Sequence, residues 1–249
     1  MKKVIIALLA VLTIIGITTN VYAEEVYYTT PNGIDLTREE YDFLTTFYGE
    51  HYLEVMTRDM YDEFVEDDLI NSEVRIVKYD EPQLALLNPG ISPDSQSHST
   101  PAKTVQIGAA CLDTYCIVDI QNNWHVSPSV RSWDNIGALL DGPYLISHNH
   151  TYVYSSMGTN FYNNLLISSH GLGNSVKLPT NGGNLIIDMA FKVTGTGTVY
   201  GSYQHAMQNT TLPNSQNYTV QIFGYGNVFA YYGTACGIYD GMNGVDIDI

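Results

Sequence analysis

With 249 residues the chain can form one large or two smaller domains, and its 26 Asp and Glu against 10 Lys and Arg give a formal net charge of −16. Such a surface repels phosphate backbones and anionic lipid, and Lys78, Lys103, Arg131, Lys177 and Lys192 are scattered rather than clustered, so nucleic acid is not expected as a partner. The acid is unevenly spread: residues 24–81 hold 17 of the 26 carboxylates, and no glutamate follows Glu81, which marks two differently built parts.

The chain opens with Lys2 and Lys3, an uncharged stretch from Val4 to about Thr19, then Val21-Tyr22-Ala23 ahead of Glu24-Glu25. This reads as a secretory signal peptide over residues 1–23. A retained anchor is the competing reading, because roughly 18 apolar residues can span a bilayer. The small-x-Ala ending followed by acid favours cleavage after Ala23. The expected product is secreted and extracellular, without stable membrane insertion, and loss of the two lysines takes its net charge to −18.

Residues 24–81 form an acidic helical N-terminal region. Thr37-Arg38-Glu39-Glu40-Tyr41-Asp42 is echoed by Thr57-Arg58-Asp59-Met60-Tyr61-Asp62, two helix starts with threonine N-caps and acids in the first turn, where the helix dipole favours them. Glu40 completes a capping box with Thr37. Gly49 ends the first helix, Glu50 to Met56 adds a short one, and Val74, Ile76 and Val77 turn to strand. The acids read chiefly as a solvated helix face. About 55 residues bury little apolar surface alone, so docking on the remainder is expected. Residues 82–103, with Pro89, Pro93 and Pro101 among Ser, Asn and Gly, read as a linker.

From Thr104 to Ile249 the hydrophobic period is two. Leu185, Ile187, Met189, Phe191 and Val193 alternate with Ile186, Asp188, Ala190, Lys192 and Thr194, a pattern that predicts one core face and one face mostly in solvent. Further strand-like runs lie at 105–112, 115–120, 136–140, 151–154, 198–207, 218–223, 228–232 and 245–249. No long helical pattern interrupts them. The fold class is therefore mainly β, an antiparallel β-sandwich of jelly-roll or Greek-key type over residues 104–249. If Asp113-Thr114 is a two-residue turn, Cys111 faces Cys116 across the hairpin, close enough for a disulfide. Cys236 would remain as a lone thiol.

Trp124 and Pro128, the run Arg131-Ser132-Trp133-Asp134-Asn135-Ile136-Gly137, Ser202-Tyr203-Gln204-His205-Ala206 and Tyr239-Asp240-Gly241-Met242 make residues 104–249 resemble a group of exported Gram-positive bacterial proteins with a C-terminal β domain. The resemblance implies secretion and a β domain. It transfers no catalytic residue.

Several constellations carry possible chemistry. In a regular strand His148 and His150 point to one side and could share a transition metal, with a third ligand drawn from His205, His125 or His170. The glutamate that metal-binding cupins place after their His-x-His is missing. Ser169-His170-Gly171 resembles the Ser-His-Gly-Cys run of L,D-transpeptidases, but Leu172 stands where their nucleophile would be, and no thiolate attack can follow. Asp240, Asn243, Asp246 and Asp248 offer four oxygen ligands that suit calcium, although strand alternation around Val245, Ile247 and Ile249 also puts the last two aspartates outward. Twenty tyrosines and two tryptophans invite glycan stacking, with Trp124, Tyr144, His148, His150, Tyr152 and Tyr225 as candidate ligand-binding residues. The expectation is a secreted, non-enzymatic binding or surface-interaction protein whose partner is a glycan or an extracellular protein. A secreted hydrolase acting through Asp and His, and a structural envelope component, are the alternatives.

Overall fold

The computed structural model describes residues 25–78, 97–163, 165–168, 170–207, 219–222, 226–230 and 243–249. The expected signal peptide and most of the expected linker lie outside these residues, as do Tyr225, Cys236 and Asp240.

A short ribbon of β1 (Tyr28–Thr29) and β2 (Asp35–Leu36) leads into α1 (Arg38–Phe47), α2 (Glu50–Val55) and α3 (Arg58–Glu66). Thr37 Oγ1 accepts from the Glu40 amide at 3.2 Å while Glu40 Oε2 accepts from the Thr37 amide at 2.8 Å, so two otherwise orphaned donors are satisfied reciprocally. Thr57 caps α3 through the Met60 amide at 3.3 Å, but Met60 cannot return the bond. Gly49, at φ 95° and ψ 162°, takes a positive-φ extended conformation that glycine adopts without a Cβ clash, and α2 starts directly after it.

These helices turn a stripe of Leu44, Phe47, Tyr48, Tyr52, Leu53, Met56, Met60 and Phe64 onto Ala110, Ile117, Tyr152 and Ala190 of the β-structure. A helical unit too small for its own core thus completes it against a sheet, each fully buried large side chain contributing about 1.5–3 kcal/mol.

The strands follow as β3 (Arg75–Lys78), β4 (Ser97–Ser99), β5 (Lys103–Cys111), β6 (Cys116–Trp124), β7 (Trp133–Asp141), β8 (Tyr144–Ser155), β9 (Gly158–Phe161), β10 (Leu166–Ser168), β11 (Gly171–Lys177), β12 (Ile186–Thr194), β13 (Thr198–Gln204), β14 (Thr219–Ile222), β15 (Gly226–Ala230) and β16 (Asn243–Asp248). A front sheet runs β3-β5-β6-β12-β8-β9, with β4 also paired to β5, and a back sheet runs β10-β11-β7-β13-β16. β14 and β15 pair with each other, and every pairing is antiparallel. The two sheets share one core, with Val118, Ile120, Met189 and Phe191 meeting Ile136, Leu172, Val199, Tyr203 and Ile247.

Three features depart from the sequence expectation. The front sheet recruits β3 and β4 from stretches read as N-terminal region and linker, so sheet pairing begins well before Thr104. The second row of β12 does not face solvent: Asp188 and Ala190 are fully buried because the helical unit covers that face. And β11 escaped a periodicity reading because Gly171-Leu-Gly-Asn-Ser is poor in β-formers. Its glycine is needed by close approach, since at φ 151° a Cβ on Gly171 would lie 2.0 Å from the Ala138 carbonyl oxygen of β7.

Cys111 and Cys116 face each other on the last rung of the β5–β6 hairpin and are joined as a disulfide.

Candidate functional site

Among the described residues, a close group of buried ionisable side chains lies where the helical unit meets the front sheet. Register places Asp119 of β6, Ala190 of β12 and His150 of β8 on one row across three neighbouring strands, and Gln121, Asp188 and Tyr152 on the next. Ala190 has the smallest side chain in either row, so Asp119 and His150 lean towards each other over it. One ligand atom from each of Asp119, His150 and Asp188 lies within 4.8 Å of the others, and all three residues are buried. Tyr48 and Tyr52, stacked at 4.1 Å, form the roof, with the Tyr52 ring 5.6 Å from that of His150.

Asp188 is the hub. Its Oδ1 lies 3.0 Å from His150 Nε2, and its Oδ2 accepts from Gln121 Nε2 at 3.2 Å and lies 3.7 Å from His51 Nε2. His51 comes from α2 and also meets the Tyr152 hydroxyl at 3.1 Å, so the helical unit takes part in the network. Burial pushes the Asp188 carboxyl up, but hydrogen bonds and charge from His150 and His51 outweigh it and hold the group well below the ordinary carboxylate range. The same burial, reinforced by the negative charge of Asp188 and Asp119, raises the phenols of Tyr48, Tyr52 and Tyr152 well above their ordinary value.

The expected His148–His150 pair does not form. The ladder slips between Ala190 and Phe191, so His150 sits opposite Ala190, on the helical side, while His148 sits opposite Phe191, on the sandwich side. A β-bulge at Asn149 inserts one residue and breaks the period-two rule that would have aligned the imidazoles. His148 Nε2 instead meets Thr151 Oγ1 at 2.8 Å, and burial first, then the neighbouring His150, lowers its pKa to about 4. The expected third imidazoles lie elsewhere. His125 meets Thr104 Oγ1 at 2.7 Å, His170 is exposed, and His205 belongs to a second buried network.

That second network closes one end of the sandwich. Asp134 accepts from the Ala206 amide at 2.9 Å and from the Tyr203 hydroxyl, with His205 Nδ1 at 2.9 Å from Oδ2. Trp124 Nε1 donates to the Tyr203 hydroxyl at 3.1 Å, and Lys103 Nζ lies 4.9 Å from the centre of the Tyr203 ring. Burial raises the Asp134 carboxyl despite the opposing bonds from His205, Ala206 and Tyr203.

The candidate ligand-binding residues therefore occupy different environments. Trp124 is half-buried in the Asp134 network, Tyr152 is fully buried under the helices, His150 and His148 lie on opposite faces, and Tyr144 is 71% exposed at the start of β8. Of the calcium set, Asp246 and Asp248 share the outward side of β16 while Val245 and Ile247 enter the core, and Thr198 Oγ1 donates to Asp248 Oδ1 at 2.6 Å. Asn243 opens the same strand.

Sequence reasoning missed Asp119 and Asp188 as site residues. The available signal was a carboxylate inside an apolar run, Cys116-Ile-Val-Asp119-Ile and Leu185-Ile-Ile-Asp188-Met-Ala, where a single solvated face does not explain the neighbours on both sides. No family model matches the chain, and no curated protein matches it.

Proposed function

We propose that this chain is an exported, non-enzymatic surface-interaction protein that binds another extracellular protein through the rim formed by β8, β9 and β10. The observation that carries the reading is a group of exposed apolar side chains there, Met157, Phe161, Leu166 and Ile167, the last 61% exposed, with exposed Tyr144 and Ile146 at the other end of β8. β9 and β10 end the front and back sheets on the same side of the sandwich, and among the described residues no strand pairs with the outer edge of either. Large exposed apolar surface next to open backbone donors and acceptors is the usual chemistry of strand addition by a partner. A protein fits this rim better than a glycan, because Trp124 and Tyr152 are committed to internal packing and, among the described residues, form no aromatic platform with Tyr144. The non-enzymatic side of the reading draws support from the enclosure of Asp188 and Asp134, which a substrate could not reach without displacing packed side chains.

The test is retention of defined extracellular proteins on the immobilised chain, compared with a Phe161→Asp, Ile167→Asp double variant of unchanged melting temperature. Loss of retention in the variant is the expected result. Equal retention by both chains overturns the rim, and glycan-array binding that survives the substitutions moves the partner class to carbohydrate.

A further inference from the structure

We propose that Asp119, His150 and Asp188 form a binding site for one divalent first-row transition-metal ion, of the zinc class, enclosed between the front sheet and the helical unit. The inference is independent of the rim reading, since none of its three ligands is among the exposed side chains of the rim. Its basis is the donor set and its placement. One imidazole nitrogen and two carboxylate oxygens form a mixed N/O set that suits such ions better than magnesium or calcium, which take oxygen alone. Ligand atoms about 3.4 Å apart surround a tetrahedral ion with bonds of about 2.1 Å. His150 Nε2 and Asp188 Oδ1 are already 3.0 Å apart, and all three ligand atoms lie within 4.8 Å of one another, so contraction of the set by little more than about 1 Å reaches the spacing that an ion needs.

The surroundings are those of a site rather than a surface cluster. The three ligands come from adjacent strands, which fixes their spacing more tightly than a loop would, and the small Ala190 side chain in the middle of the row lets Asp119 and His150 approach each other. Gln121 donates to the second oxygen of Asp188 and His51 lies close to it, an outer shell that orients the ligating carboxylate. Among the described residues the groups that meet Asp188 are Gln121, His150 and His51 rather than lysine or arginine, and a divalent cation would add positive charge beside two enclosed carboxylates. Coordination uses the Nε2 lone pair, and the imidazole then carries its proton on Nδ1. Gln121 and His51 keep partial exposure and give the ion its path from solvent. A bound ion would fasten β6, β12 and β8 directly beneath the Tyr48–Tyr52 roof.

The experiment uses the full chain, stripped with a chelator and titrated with zinc. The expected result is saturable binding of one zinc per chain, with affinity reduced by about tenfold or more in Asp119→Asn and in His150→Gln. The surface substitution Asp62→Asn should leave it unchanged. X-ray absorption of the zinc-loaded native chain should show a first shell near about 2.0–2.1 Å containing imidazole. This decides the question if the variants fail to fold. Zinc binding undiminished in the folded variants, no stoichiometric binding, or a shell without imidazole would each overturn the site.

Discussion

Lys192 Nζ donates to Asp67 Oδ1 at 2.9 Å across 125 positions of sequence, and the same ammonium lies 2.9 Å from Glu63 Oε1. Two carboxylates at the end of α3 thus serve as contacts to the front sheet, so the acidic region is more than a solvated face. Lys192→Met leaves both acids facing a partly buried surface without their cation. Because the pair is neither fully exposed nor fully buried, a loss of about 2 kcal/mol is expected, between the usual surface and buried limits. Hydrogen exchange should localise it: amides of α1 to α3 lose protection while those of β7 and β13 keep it. Equal loss in the back sheet would mean that the helical unit and the sandwich unfold as one.

The same contact sets an alkaline limit. Burial works against the charge on Lys192, but Asp67 and Glu63 outweigh it and raise its pKa above the ordinary lysine value of 10.5. Tyr115 is also raised, by burial first and then by the bond its hydroxyl donates to Asp67 at 2.7 Å. Both groups hold their protons more tightly folded than unfolded. Their contribution is therefore complete below about pH 10 and is lost as pH rises from there through the folded values. Melting temperatures measured from pH 8 to pH 11 should fall over the upper part of that range, and Lys192→Met should flatten the decline.

Asp134 gives a larger effect in the back sheet. Asp134→Ala would leave the Ala206 amide, the Tyr203 hydroxyl and His205 Nδ1 without their shared acceptor in a fully buried place. A loss of about 3–5 kcal/mol in urea unfolding is expected. Tyr203→Phe removes one donor to Asp134 and the acceptor of Trp124 Nε1, and should cost about 1–2 kcal/mol. If Tyr203→Phe matched Asp134→Ala, the phenol rather than the carboxylate would organise this end.

What the sequence made legible follows from how local the cause was. The capping box at Thr37, the restart at Gly49 and the core row of β12 each depend on neighbours within a few positions, and each is in place. The burial of Asp188 depends on a helical unit more than a hundred residues upstream, which alternation within β12 cannot report. The bulge at Asn149 is a one-residue event with no glycine to announce it, yet it reverses the side to which His148 points. Asp119 and Asp188 meet only because β6 and β12 are sheet neighbours, a matter of strand order rather than spacing.

The Cys111–Cys116 bridge should contribute little, for a reason that sequence separation alone supplies. The cysteines are five positions apart and already opposed in the hairpin register, so the bond closes a very short loop. Constraint of so short a segment in the unfolded chain stabilises by about 2 kcal/mol at most on loop-closure entropy. Replacing both residues by serine should lower unfolding stability by about that amount or less while the back sheet stays intact. The nearby anchor makes the comparison useful: Lys192 packs 5.7 Å from the centre of the Tyr115 ring, one residue before Cys116. If the serine variant lost the helical unit's exchange protection as fully as Lys192→Met does, the bridge would be holding Tyr115 in place for Asp67. Protection confined to the hairpin would limit its role to the turn itself.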